Sequence, residues 1–197
     1  MNGVRGRRPL IVVFGVILFA VSSAAVFHGS RAATAYAVYH HTRYGAAGNY
    51  DARQCAVRCD TAHKLYPFNY YFCIWTAERC WYERFDAAGD ESFRHVELAG
   101  KWCDRGLELN RRKSQLRLLK TRLLARESLE KALSNWEDYV DWHFWCPHNH
   151  AVLVDYYSMA GNYEKAVKSL KLLRDTGYYD SARRKVREAW SKEMRMQ

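Results

Sequence analysis

The sequence predicts an all-α protein, and three observations support that prediction. One phrase occurs three times: an aromatic residue, two further residues, Ala, Gly and then Asn or Asp, with its glycine at Gly48, Gly89 and Gly161. The glycines are separated by 41 and 72 residues, and the larger gap is two periods of roughly 36, which indicates an internal repeat with one glycine missing. No segment alternates apolar and polar residues convincingly, as a half-buried strand does. We therefore predict a stack of about four helical hairpins.

The N-terminal segment has the composition of a membrane anchor. Arg5, Arg7 and Arg8 precede an uncharged stretch from Pro9 to Phe27, and its 19 residues approach the roughly 20 that a helix needs to cross a bilayer. The apolar run continues past the serines of Val21 to Ala25 without a charged break, which favours an anchor. Cleavage at the small residues of that segment is the alternative that the sequence leaves open.

The charge flanking this segment predicts its orientation. Positive charge on the short N-terminal flank holds that end in the cytoplasm. We therefore predict residues 1–8 as cytoplasmic, residues 9–28 as a single-pass signal-anchor, and residues 29–197 as one domain outside the cytoplasm, in the periplasm or an equivalent extracytoplasmic space. That domain keeps 28 of the 31 basic residues against 21 acidic ones, so it is basic without its anchor.

Capping signals divide the domain into helices. Each glycine of the repeated phrase is predicted to end one helix in a left-handed turn, and the Asx after it is predicted to cap the next. We call the turn between the two helices of a hairpin its elbow. The elbow that lacks a glycine is expected near Arg126 to Ser128. A final helix is predicted to cap the last hairpin through an apolar face at helical spacing, formed by Ala182, Val186, Ala189 and Trp190. The predicted helices are 33–46, 50–65, 69–86, 90–109, 113–125, 128–144, 148–159, 163–175 and 180–194.

The residues around Gly161 resemble the signature of the tetratricopeptide repeat family. Pro147 lies where the inter-repeat proline of that family falls. The resemblance covers about residues 33–176 and is strong only in the last hairpin. It implies an α-solenoid of divergent repeats with elbows at Gly48, Gly89 and Gly161. The residues at the family's packing positions are Leu153, Tyr157, Tyr163, Ala166 and Leu170.

A run of basic residues lies between Glu108 and Glu127, where the chain has no acidic residue. The leucines of this segment mark a buried face, so its charges are predicted to lie on the solvated face. There, Arg112, Arg117 and Lys120 could meet an anionic lipid headgroup, a glycan or an acidic protein. A solvated face without a ligand is the open alternative.

The histidines and cysteines suggest packing more than chemistry. His143, Cys146, His148 and His150 fall in one predicted turn, but their spacing matches no zinc pattern that we recognise, so we expect no metal site. The cysteines fall mostly in apolar helical stripes, which favours buried thiols. A bridge from Cys73 or Cys80 to Cys103 is the alternative.

The sequence contains none of the motifs that would indicate an enzyme. It has no nucleophile elbow, phosphate-binding glycine loop, metalloprotease helix or dinucleotide fingerprint, so we expect neither catalysis nor a cofactor. The tetratricopeptide resemblance implies a scaffold that binds a protein or peptide in the cell envelope. The alternative is an envelope module for a glycan or anionic polymer, because similar repeats are found beside surface-polysaccharide assembly enzymes. Nucleic acid is not an expected partner of an exported domain.

Overall fold

The computed structural model describes residues 7–45 and 50–195, and over these residues the chain forms nine helices and no strand. The all-α prediction is therefore confirmed for the described part of the chain. By internal contacts the chain divides into two units, residues 1–72 and 73–197. The helices are α1 Arg7–Tyr44, α2 Ala52–Leu65, α3 Tyr70–Glu83, α4 Gly89–Leu109, α5 Ser114–Leu124, α6 Leu129–Trp142, α7 Pro147–Met159, α8 Tyr163–Lys171 and α9 Tyr179–Glu193.

Helix α1 joins the predicted anchor to the predicted first helix of the domain without a break. Its 38 residues give a length of about 57 Å at about 1.5 Å per residue. Gly29 lies inside this helix, so no turn separates residues 9–28 from the C-terminal part of α1. Large apolar side chains from Val12 to Phe27 are exposed. The helix is long and apolar enough to cross a membrane.

The last part of α1 packs against α2. No side chain from Val12 to Phe27 is buried, whereas Ala35, Tyr39 and Thr42 are buried in this part. Arg31 Nη2 donates to the backbone oxygen of Lys64 at 3.0 Å, so the two helices run antiparallel. The α2 face is built from small residues that allow close approach: Ala52, Cys55, Ala56, Cys59 and Ala62. Gly48, the predicted elbow of this hairpin, lies outside the described residues.

In the second unit, helix α4 passes very close to its neighbours at one glycine. A Cβ atom built on Gly106 would lie 2.6 Å from Leu116 Cδ1 and 2.9 Å from Cys73 Cβ. Beside this contact, Cys103 is a buried thiol whose Sγ donates to the backbone oxygen of Leu116 at 3.2 Å. Burial raises the pKa of this thiol to about 12. Cys103 is thus a packing residue in this structure and does not form the alternative bridge.

The elbows of the second unit differ in chemistry. Gly161 has φ +70° and Asn162 Oδ1 accepts from Lys165 N at 3.2 Å, so this turn pairs a left-handed glycine with an Asx cap. Gly89 also has positive φ, but it is the first residue of α4, and Asp90 is not the cap. The turn after α5 has no glycine and begins α6 on Ser128, whose Oγ accepts from Lys131 N at 3.4 Å.

Candidate functional site

Helices α6 to α9 share one hydrophobic core, and most of the predicted packing residues lie in it. Leu153 and Tyr157 on α7 and Ala166 on α8 are buried, and Leu170 is partly buried against the same cluster. Tyr163 lies at the start of α8 and stacks on Trp190 with ring centroids 5.7 Å apart. Four of the five predicted positions therefore contribute to the core, and the fifth lies at its edge.

Helix α9 packs onto this core only along its first half. Ala182 and Val186 are 3 % and 5 % exposed, whereas Trp190 is 52 % exposed and Ala189 is half-buried. The prediction that all four residues form one buried capping face is therefore wrong for its last two members. The apolar stripe of α9 continues past the point where the core beneath it ends.

A groove opens where α9 leaves the core. Its volume is about 790 Å³, and it is lined by residues from α6, α7, α8, α9 and the elbow between α7 and α8. Its apolar surface comes from Leu129, Met159, Ala160, Tyr163 and Ala189. Met159 is 63 % exposed, which is unusual for a methionine beside a packed core. The groove is therefore an apolar surface that no described part of the chain covers.

The charged residues that line the groove differ in whether they form ion pairs. Lys185 on α9 forms an ion pair with Asp155 on α7, and Glu188 lies 3.9 Å from Arg184. Lys192 also lines the groove but forms no ion pair with any described side chain. The groove is therefore an apolar surface bordered by both signs of charge, with Lys192 the lining lysine that no described acid pairs.

Ser158 adds a polar group to the groove wall. Its side chain lines the groove, is only 5 % exposed, and its Oγ has no hydrogen-bond partner within the described structure. A buried hydroxyl without a partner costs roughly 1–3 kcal/mol.

A network on the other side of α7 fixes the orientation of this helix. Tyr157 donates its hydroxyl to Glu137 on α6, and Lys165 on α8 lies 3.0 Å from the same carboxylate. The hydrogen bond from Tyr157, together with the weaker effect of Lys165, lowers the pKa of Glu137 despite its partial burial. Three helices are thus joined at one carboxylate, which holds α7 in place beside the groove.

The basic helix does not present the surface that its sequence predicts. Arg117 lies 3.3 Å from Asp138 on α6, and Lys120 lies 2.7 Å from Asp104 on α4. Their side chains are 21 % and 27 % exposed. The prediction that these two charges face solvent is wrong, because the acidic residues that pair with them come from other helices. Arg112 remains at the surface.

The structure gives the histidine-rich turn a packing role. No group of three or more potential metal ligands gathers within residues 7–45 and 50–195. His143 Nδ1 lies 2.9 Å from the hydroxyl of Tyr139, and His150 contacts the backbone oxygen of Phe144. Both histidines therefore use a ring nitrogen to hold the turn between α6 and α7.

Comparison with known proteins adds no family to this description. No protein-family model matches the chain, and no curated protein sequence matches it. The tetratricopeptide resemblance rests on the residues of the sequence alone.

Several groove residues were not predicted from the sequence. Ser158, Met159 and Ala160 read as the end of a core helix, and Lys185 and Lys192 read as ordinary surface charges. One feature of the sequence did indicate that α9 is only partly buried. This helix has five basic and three acidic residues beside a short apolar stripe, and a helix buried on a core has fewer charges.

Proposed function

We propose that this chain is a non-catalytic, membrane-anchored helical scaffold whose α7–α9 groove binds an apolar segment of an acidic protein. One observation carries the proposal: where α9 leaves the core, Ala189, Met159 and Leu129 line an open groove beside Lys192, which forms no ion pair with a described side chain. Contiguous exposed apolar surface rimmed by polar residues is typical of protein interaction sites.

Two features support the description of the domain as a divergent tetratricopeptide-like solenoid. Helix α7 packs against both α8 and α9, as the first helix of a repeat does when it contacts its own partner and the next helix. The elbow between α7 and α8 combines a left-handed Gly161 with the Asn162 cap. The family resemblance implies a binding role for such an array.

The anchor supports a place for this scaffold in the cell envelope. Helix α1 is long and apolar enough to cross a bilayer, and the basic residues Arg5, Arg7 and Arg8 precede its apolar stretch. By the charge rule the N-terminus is cytoplasmic and the groove lies outside the cytoplasm. The scaffold would thus hold its partner at the outer surface of the membrane that α1 crosses.

The charge of α9 favours an acidic partner. Its five basic residues exceed its three acidic ones, and two of the acids that it meets, Asp155 and Glu188, are already paired. Charge complementarity of this kind selects among partners and increases the association rate. In this proposal the apolar lining provides the contact area, and Lys192 favours partners that carry an acidic side chain.

The test uses the full chain in phosphatidylcholine nanodiscs and two fluorescent peptides of equal leucine content, one with glutamates and one with lysines. We expect the acidic peptide to bind about tenfold more tightly, a difference of about 1.4 kcal/mol. Lys192→Glu should abolish this preference. Arg187→Glu is the matched control, because Arg187 is exposed on the same helix but does not line the groove.

A second variant tests the groove itself. Ala189→Leu adds apolar volume to the lining and should weaken binding of both peptides, since it occupies the space that they need. Fluorescence anisotropy measures both effects. Equal losses for Lys192→Glu and Arg187→Glu, or undiminished binding by Ala189→Leu, would show that the groove is not the site.

A further inference from the structure

Three exposed or partly exposed aromatic rings lie together at the end of α6 and in the turn that follows it. Trp142, Phe144 and Trp145 are 38 %, 64 % and 61 % exposed. Their rings are in contact: the centroids of Trp142 and Trp145 are 6.0 Å apart, and those of Phe144 and Trp145 are 5.3 Å apart. We call these three residues the aromatic patch.

The turn beneath the patch is held by several hydrogen bonds. The Tyr139 hydroxyl and His143 Nδ1 are 2.9 Å apart, and His143 N donates to Tyr139 O at 3.1 Å. Asn149, which is 1 % exposed, donates its amide to His143 O at 2.8 Å. His150 contacts the backbone oxygen of Phe144. The exposed rings therefore project from a preorganised turn, which reduces the entropy lost when they bind.

Positive charge borders the aromatic patch. The Arg112 guanidinium lies 4.4 Å from the ring centroid of Trp142. Arg111 is exposed and forms no ion pair with a described side chain. Asp138, on the same helix as Trp142, is already paired with Arg117. The surface around the patch therefore combines large aromatic rings with two arginines that form no ion pair with a described side chain, although the exposed Asp141 also lies beside Trp142.

We propose that the aromatic patch, together with Arg111 and Arg112, binds the surface of an anionic lipid bilayer. Tryptophan favours the interface between headgroups and acyl chains, because its ring is apolar and its N–H is polar. Arginine near such a surface is attracted by anionic lipids. If α1 spans a bilayer, it also tethers the patch to that bilayer, so the effective concentration of lipid at the patch is high.

This contact would hold the domain against the membrane that α1 crosses. It shares with the proposed function the premise that α1 spans a bilayer, but it uses no residue of the groove. Peptide binding in the groove and lipid contact by the patch can therefore fail independently.

The distribution of tryptophan provides a direct test. All seven tryptophans lie after residue 74, so none lies in α1 and fluorescence reports only on the rest of the chain. We would reconstitute the full chain into nanodiscs of brominated phosphatidylglycerol or brominated phosphatidylcholine, since bromine quenches tryptophans near the acyl chains. We expect quenching in the anionic discs and much less in the zwitterionic ones.

Two variants and one control assign the quenching to the patch. Phe144→Ser removes one ring but keeps the tryptophan reporters, and the double variant Arg111→Gln, Arg112→Gln removes the cations; each should abolish most of the quenching. Phe93→Ser should leave it unchanged, because Phe93 is equally exposed, at 67 %, but lies on α4. Circular dichroism should show the same helix content in all variants.

Three results would overturn the proposal. One is quenching of equal size in the anionic and the zwitterionic discs. Another is quenching that neither patch variant reduces, or that the control Phe93→Ser reduces as strongly as the patch variants do. The third is an absence of quenching in the discs together with a change of fluorescence on adding a soluble anionic polysaccharide, lost in Phe144→Ser. That result would assign the patch to a glycan.

Discussion

The two ends of helix α7 meet their neighbours in different ways. At its N-terminal end, Trp136 of α6 is fully buried and its Nε1 donates to the backbone oxygen of Asn149 at 3.0 Å. At its C-terminal end, Ser158 and Met159 line an open groove, and Trp190 of α9 remains half exposed. One helix thus contributes a closed, hydrogen-bonded contact at one end and an unfilled apolar surface at the other. The first end is closed by a buried ring, and the second borders the groove that we propose as the binding site.

The largest expected effect is the difference between two tryptophans. Trp136→Ala removes a buried ring and a buried hydrogen bond, and should lower the free energy of unfolding by about 3–5 kcal/mol. Trp190→Ala removes a half-exposed ring and its stacking on Tyr163, and should cost only about 1–2 kcal/mol. Urea unfolding of the full chain in one detergent, monitored by circular dichroism, measures both. Similar losses would mean that α9 is packed as tightly as α6, and the two ends of α7 would not differ.

A smaller effect should distinguish filled from unfilled contacts between helices. Gly106→Ala adds a Cβ where Leu116 and Cys73 leave no room, and should cost about 1–3 kcal/mol. Ala189→Leu in the groove should change stability by less than about 1 kcal/mol. Gly100→Ala is the control, because no atom lies within 4 Å of its Cβ position and alanine favours the helix by up to about 1 kcal/mol. Destabilisation by Gly100→Ala would show that glycine itself, and not the close approach, matters in α4.

The helices could be predicted from the sequence because their boundaries depend on local chemistry. Asn162 and Ser128 cap the helices that begin after them, and Pro147 begins α7, as residues of these types do in any helical protein. The continuity of α1 could not be predicted in this way. Gly29 suggests a boundary between the anchor and the domain. However, neither Gly29 nor the serine after it is a strong helix breaker on its own, and the helix continues through both.

The candidate site could not be predicted because it depends on pairs of helices. Arg117 and Lys120 read as free surface charges, since Asp138 and Asp104 are distant in the sequence and become neighbours only in the fold. The apolar stripe of α9 has the correct spacing for a capping helix. Whether its last residues are covered depends on how α9 packs against the other helices, which the spacing of its own apolar residues does not encode.

The most direct test of binding at the open end of α7 is fluorine NMR of the full chain, labelled with 5-fluorotryptophan and titrated with the acidic leucine peptide. Trp190→Phe assigns the resonance of the ring beside the groove, and Trp136→Phe assigns the one in the closed contact. We expect the Trp190 resonance to shift on binding, because its ring stacks on the groove residue Tyr163, while the Trp136 resonance stays unchanged. A shift of Trp136 with none at Trp190 would contradict the claim that the open end of α7 is the binding end.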